Sequence, residues 1–159
     1  MKFLISKKLI DNKSLYASVV WMVSFLILAL LLNMGVKIID FGLSPQDWVN
    51  SIIGNEEEFI DPMLLSDLLL SLHTDLFGLI LVFVLTCALM MRTSHSQMFK
   101  LTTMTLGVGT LLAYTIGVIV SLWLGTFCIW IGWGGFAAFH LLMIGLLLNI
   151  LILLVSKKF

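Results

Sequence analysis

Residues 68–91 read LLLSLHTDLFGLILVFVLTCALMM, an apolar run interrupted by His73-Thr74-Asp75. A helix rises 1.5 Å per residue and needs about 20 apolar residues to cross a bilayer, so this stretch is long enough to span. An ionisable side chain in hydrocarbon costs several kcal/mol unless it is paired or hydrated. His73 and Asp75 are therefore candidate functional residues, and so is His140 in a later apolar run.

Working outward, three further runs have the same character: 15–39, 101–124 and 134–155. Hydrophobic residues make up 60% of the 159-residue chain and charged residues 11%, against about 25% charged in soluble domains. Mean hydropathy is +1.12. So few charges cannot cover the surface of a water-soluble domain of this size. Lipid satisfies no backbone polar group, so the spans must be helices. The expected fold is all-α: a single four-transmembrane-helix domain over 1–159, with an outer loop at 40–67.

The zero formal charge hides a partition. Lys2, Lys7, Lys8 and Lys13 precede span one, Arg92 and Lys100 lie between spans two and three, and Lys157 and Lys158 follow span four. Alternating spans put these eight of the nine basic residues on one side. Asp40, Asp47, Glu56, Glu57, Glu58 and Asp61 fall in the first outer loop, with Lys37 at its edge. The positive-inside rule then predicts N-in/C-in, with both termini cytoplasmic. The first span has a basic flank like a signal peptide. It is too long for an h-region and lacks a small-x-small cleavage site, so a retained anchor is expected.

Trp123, Trp130 and Trp133 mark an outer interfacial belt around the uncharged connection 125–132, which is expected to dip into the headgroup layer. In the outer loop, Ser44-Pro45-Gln46-Asp47 reads as a helix start, followed by an apolar stripe of Trp48, Val49, Ile52 and Ile53 and a stop at Gly54-Asn55. This short amphipathic helix is expected to lie flat on the outer leaflet with Trp48 in the interface. The acidic cluster lacks the ligand spacing of a calcium loop and reads as a solvated face.

Gly109, Ala113, Gly117, Ser121 and Gly125 recur every four residues along span three, and Gly134 and Ala138 are four apart on span four. Small-xxx-small rows let helix backbones approach closely, so these seven residues are the expected packing positions. Packing inside the bundle is the first reading; self-association or clearance for a cofactor are the others.

Depth and rotation sort the ionisable residues. Measured from the middle of each run, Asp75 and His140 lie ~7 Å toward the outer face and His73 ~10 Å. About 100° per residue turns His73 and Asp75 roughly 160° apart. Asp75 shares its face with Asp67, Ser71, Gly78 and Thr86, which are small or polar; His73 shares its face with Phe77, Ile80 and Val84. Small and polar faces look inward in membrane bundles, so of the ligand- or proton-binding candidates Asp75, His140, His73 and Ser71, Asp75 is the better interior residue and His73 is expected near a helix neighbour, the headgroup boundary or another subunit.

Three functions fit this pattern. His73 and His140 as axial ligands of haem b, as the only metal-site candidates, make an electron-transfer subunit. Asp75 and His140 as an acid–imidazole pair in a polar pocket relay a proton, bind a quinone-like ligand, sense pH or merely fix helix register. An accessory or assembly subunit uses its exposed faces for other membrane subunits or a second copy. No residue presents a catalytic motif, and the scattered basic residues do not indicate nucleic acid. Cys87 and Cys128 lie in opposite halves, so no disulfide is expected. His95 reads as a solvated loop residue, and Asn33 and Asn149 as interhelical hydrogen-bonders.

The stretch Gly54-Asn55-Glu56-Glu57-Glu58-Phe59, followed by His73-Thr74-Asp75-Leu76-Phe77, resembles a pattern in small four-span bacterial membrane proteins. The resemblance covers about a sixth of the chain and brings no activity with it. It implies a bacterial inner membrane. The expectation carried forward is an inner-membrane accessory or assembly subunit with a polar pocket in its outer half; the alternative is a haem- or quinone-associated electron-transfer subunit.

Overall fold

A computed structural model describes residues 13–156. Lys2, Lys7, Lys8, Lys157 and Lys158, on which part of the charge partition rests, lie outside the described residues. The chain forms α1 (Lys13–Phe41), α2 (Pro45–Ile53), a 3-10 turn (Glu56–Glu58), α3 (Leu65–Met90), α4 (Gln97–Leu124) and α5 (Thr126–Val155). Of these, α1, α3, α4 and α5 are long and apolar enough to cross a membrane. The protein is an all-α integral membrane bundle.

Helix ends follow local chemistry. Ser44 caps α2: its hydroxyl accepts from the Asp47 N–H at 3.1 Å, and its own N–H donates to Asp47 Oδ2 at 2.8 Å. That backbone bond, with the Ser44 hydroxyl, holds the Asp47 carboxyl below its ordinary range. Gly54 ends the helix at φ +91°, a backbone region L side chains avoid. Ser96 accepts from the Phe99 N–H at 3.2 Å to start α4. Lys100 is buried and donates to the carbonyls of Met91 (3.1 Å) and Thr93 (2.7 Å) just past α3, where a cation satisfies orphan acceptors.

Three expectations are corrected. The connection 125–132 is helical from Thr126 onward, so α4 and α5 meet at Gly125 alone, at φ +79°. A segment without charge or proline has no reason to leave its backbone unpaired near lipid, and only the glycine interrupts it. Trp48 is not an exposed side chain available to an interfacial layer. It is 3% exposed, packed against Phe41, Tyr114 and Phe136, and its indole N–H donates to the Gly42 carbonyl at 3.1 Å. With Val49 and Ile52 also buried, α2 spends its apolar stripe closing one end of the bundle. His95 is half-buried and ties the α3–α4 connection to α5, its Nε2 lying 2.7 Å from Asn149 Oδ1.

The small-residue row also settles differently. A step of four residues turns a helix about 40° past a full turn, so four steps carry Gly109 and Gly125 roughly 160° apart. Only the middle of the row, Gly117 and Ser121, is buried. Gly109 and Ala138 are exposed, and Gly134 has open space where a side chain would stand. The close approach runs instead through Gly117 against Gly132 and Gly135 against Tyr114: a Cβ on Gly117 would fall 2.5 Å from the Gly132 nitrogen, and one on Gly135 would fall 2.5 Å from the Tyr114 nitrogen. Ala113 is half-buried beside this seam. Cys87 and Cys128 are free thiols.

Candidate functional site

Residues four apart share a helix face, and three such pairs converge beneath α2. Asn33 and Lys37 come from α1, Ser71 and Asp75 from α3, and Phe136 and His140 from α5; Tyr114 comes from the middle of α4. Every spanning helix therefore contributes.

Asp75 is 6% exposed and takes three donors. Its Oδ2 accepts from Lys37 Nζ at 2.6 Å and from the Tyr114 hydroxyl at 2.5 Å, and its Oδ1 accepts from Asn33 Nδ2 at 2.9 Å. An ammonium and two further donors thus converge on one carboxyl group. Lys37, 3% exposed, also donates to Ser71 Oγ at 2.6 Å and lies 4.6 Å from the centre of the Phe41 ring. A desolvated ammonium on an aromatic face gains cation–π attraction in addition to its ion pair.

His140 is fully buried on the other side of Asn33. Its Nε2 lies 3.0 Å from Asn33 Oδ1 and its Nδ1 2.9 Å from the Phe136 carbonyl. Phe136 and Phe139 pack on the imidazole, with ring centroids 4.1 and 5.9 Å away. Trp48, Phe41 and Phe136 cover the cluster from the α2 side. A crevice of about 70 Å³ between α1 and α5 reaches Lys37, bordered by Met34, Ile38, Trp133 and Ala137.

Asp75 and His140 thus belong to one network, joined through the Asn33 carboxamide rather than by direct contact. Ser71 belongs to it through Lys37. His73 does not: it is exposed on α3 together with Phe77, Ile80 and Val84. The two histidines of the haem reading are therefore not brought together, and both nitrogens of His140 are already engaged. Among the described residues no group of three or more His, Cys, Asp or Glu is placed to hold a metal ion. Sequence reasoning missed Lys37, Tyr114 and the covering role of Trp48. The available signal was spacing: Asn33 and Lys37 repeat on α1 the polar i, i+4 pattern of Ser71 and Asp75 on α3.

Every buried side-chain nitrogen and oxygen among the described residues has a hydrogen-bond partner. Such a network is what a buried ion pair requires, because desolvation is offset only when the remaining donors and acceptors are also satisfied.

No curated protein and no solved structure matches the chain. A family model described as a transmembrane helical domain matches residues 42–158, which hold Ser71, Asp75, Tyr114 and His140 and follow Asn33 and Lys37. With most of its length matched, the chain belongs to this family of transmembrane helical domain proteins.

Proposed function

We propose that the protein is an accessory subunit of a bacterial inner membrane, with both termini cytoplasmic, and that its buried polar centre in the outer half of the bilayer takes up and releases one proton. The observation that carries the proton-binding role is the environment of His140. Both ring nitrogens face carbonyl oxygens, those of Asn33 and Phe136, at 3.0 and 2.9 Å. A neutral imidazole has one N–H, so in this arrangement both contacts become hydrogen bonds only in the imidazolium. With Lys37 charged and Asp75 ionised, proton uptake takes the centre from zero net charge to +1.

Support for the orientation comes from the charges. Lys13, Arg92 and Lys100 flank one end of the alternating helices, and Asp40, Asp47, Glu56, Glu57, Glu58 and Asp61 the other. Support for an accessory role comes from His73, a polar side chain exposed on an otherwise bulky apolar face, which a partner helix or headgroup layer would satisfy.

The test of proton binding is nitrogen NMR of histidine-labelled protein in detergent, with His140→Gln assigning the signal. His140 is expected to exchange imidazolium for neutral imidazole as pH is raised across the range in which histidine switches operate. A His140 signal unchanged across that range rejects the proposal. For the accessory role, a gentle-detergent pulldown is expected to recover a second membrane protein. Recovery of the chain alone counts against it.

A further inference from the structure

Asn33 is held at both ends by groups that can carry a proton. Its nitrogen donates to Asp75 Oδ1 at 2.9 Å, and its oxygen lies 3.0 Å from His140 Nε2. The two ends of a carboxamide are nearly the same size but opposite in hydrogen-bonding character. Turning the side chain by half a turn thus exchanges a donor for an acceptor at each end without changing the packing.

Each orientation fits one placement of the proton. In the orientation of the structure, all the contacts are hydrogen bonds when His140 is the imidazolium and Asp75 the carboxylate. With the amide turned, its N–H donates to His140 Nε2, which must then be bare, and its oxygen requires a donor from Asp75 Oδ1, which must then be protonated. Nδ1 keeps its N–H to the Phe136 carbonyl in both forms. The proton lost by Nε2 equals the proton gained by Oδ1, so total charge and the number of hydrogen bonds are unchanged.

The other charged and titratable neighbours permit this. Lys37 from α1 and Tyr114 from α4 both donate to Oδ2, leaving Oδ1 to Asn33. From α2 the covering residue is Trp48, which does not titrate. A carboxylic acid protonated at Oδ1 still accepts from both donors at Oδ2.

We propose that the Asn33 carboxamide is a proton-coupled rotor that lets one buried proton reside on either His140 of α5 or Asp75 of α3. The inference rests on the proton-binding role of the centre, and it adds a second seat for the proton and the device that selects between them. Its effect is to shift a unit of positive charge from α5 toward α3 inside the bundle.

The experiment uses the full chain in detergent micelles, labelled on histidine nitrogen and aspartate carboxyl carbon, with infrared spectra taken in parallel. The expected result is a protonated-carboxyl stretch at pH 5 that is absent in Asp75→Asn, accompanied by a population of His140 in its neutral Nδ1–H tautomer. In Asn33→Leu the carboxyl signal is expected to disappear. An Asp75 that stays a carboxylate at every pH while His140 becomes imidazolium overturns the rotor but leaves proton binding standing. A centre in which neither residue changes overturns both. Persistence of the carboxyl signal in Asn33→Leu also removes Asn33 from the mechanism. If that variant does not fold, the parent's own carboxyl and tautomer signals still decide.

Discussion

Replacing Lys37 by Met leaves the Asp75 carboxylate buried with no counter-charge, and breaking a buried pair in this way costs about 3–5 kcal/mol. The double variant Lys37→Met/Asp75→Leu removes both charges and is expected to recover most of that loss, read as thermal unfolding in detergent. If the double variant is as unstable as the single ones, the pair is not the source of the effect. The sequence made Asp75 and His140 conspicuous because both interrupt apolar runs at matching depth. It concealed Lys37, which stands near the end of its run, where a long basic side chain ordinarily snorkels to the headgroups. Tyr114 was hidden for a different reason: an aromatic ring in an apolar span reads as packing until its hydroxyl is seen 2.5 Å from a carboxylate. Asn33 was legible as a hydrogen-bonder, but nothing in a linear chain shows that one amide touches two titratable partners.

At the scale of elements, the α4–α5 seam depends on the absence of a side chain at Gly135. Gly135→Ala pushes the Tyr114 backbone away and, as an overpacked contact, is expected to cost about 1–3 kcal/mol. Gly134→Ala, one residue away and facing open space, is expected to be neutral in the same unfolding measurement. Equal effects of the two would contradict the seam. The spacing of small residues showed that α4 has a packing face. Which part of it is used depends on the drift of a four-residue row around a helix, and on where a second helix crosses it. The short helix α2 offers a pH prediction. The Asp47 carboxyl is held low in the folded state, so its contribution is present above the unfolded carboxylate range and is lost as pH falls through the folded value. Protection of the α2 amides, measured as exchange relative to the intrinsic rate at each pH, should fall on acidification, and Asp47→Ala should abolish that fall. Protection that is independent of pH in the parent would exclude Asp47 as the responsive group. The start and stop of α2 were readable from Ser44, Pro45 and Gly54; its burial was not, because an amphipathic stripe suits a protein surface as well as a lipid one.

For the whole molecule, the alternation of basic and acidic ends predicts opposite exposure of the loops. With Cys87 and Cys128 replaced by Ser, Glu57→Cys is expected to react with an impermeant maleimide in intact cells, and Ser94→Cys only after permeabilisation. The reverse pattern would invert the topology. Each of the four apolar runs falls on one long helix, with helix ends a few residues from the ends of the run except at α5, which begins at Thr126, eight residues before the run at 134–155. Hydropathy marks where a helix suits lipid, not where it ends, and an aromatic, glycine-rich turn of helix resembles a connection. The family match begins at residue 42, after α1. The helix that precedes the match still supplies the ammonium and the amide on which the centre is built.

That division bears on biogenesis. α1 carries Lys37 and α3 carries Asp75; a charge at the centre of an isolated span adds about 2.5–3.5 kcal/mol to the free energy of insertion, and one near the span's end, as Lys37 is, adds less. The ion pair itself forms only when both helices are present, because each helix holds the counter-ion of the other. During synthesis α1 emerges first, so the molecule has reason to keep it at the insertion machinery, near protein or water, until α3 follows. Release of the first helix into lipid would then be timed by the second, and Asp75→Leu, which leaves Lys37 without its counter-ion, should prolong that retention in a cross-linking assay of nascent chains. A carboxylate that organises the folded bundle would thus also determine when its first helix leaves the translocon.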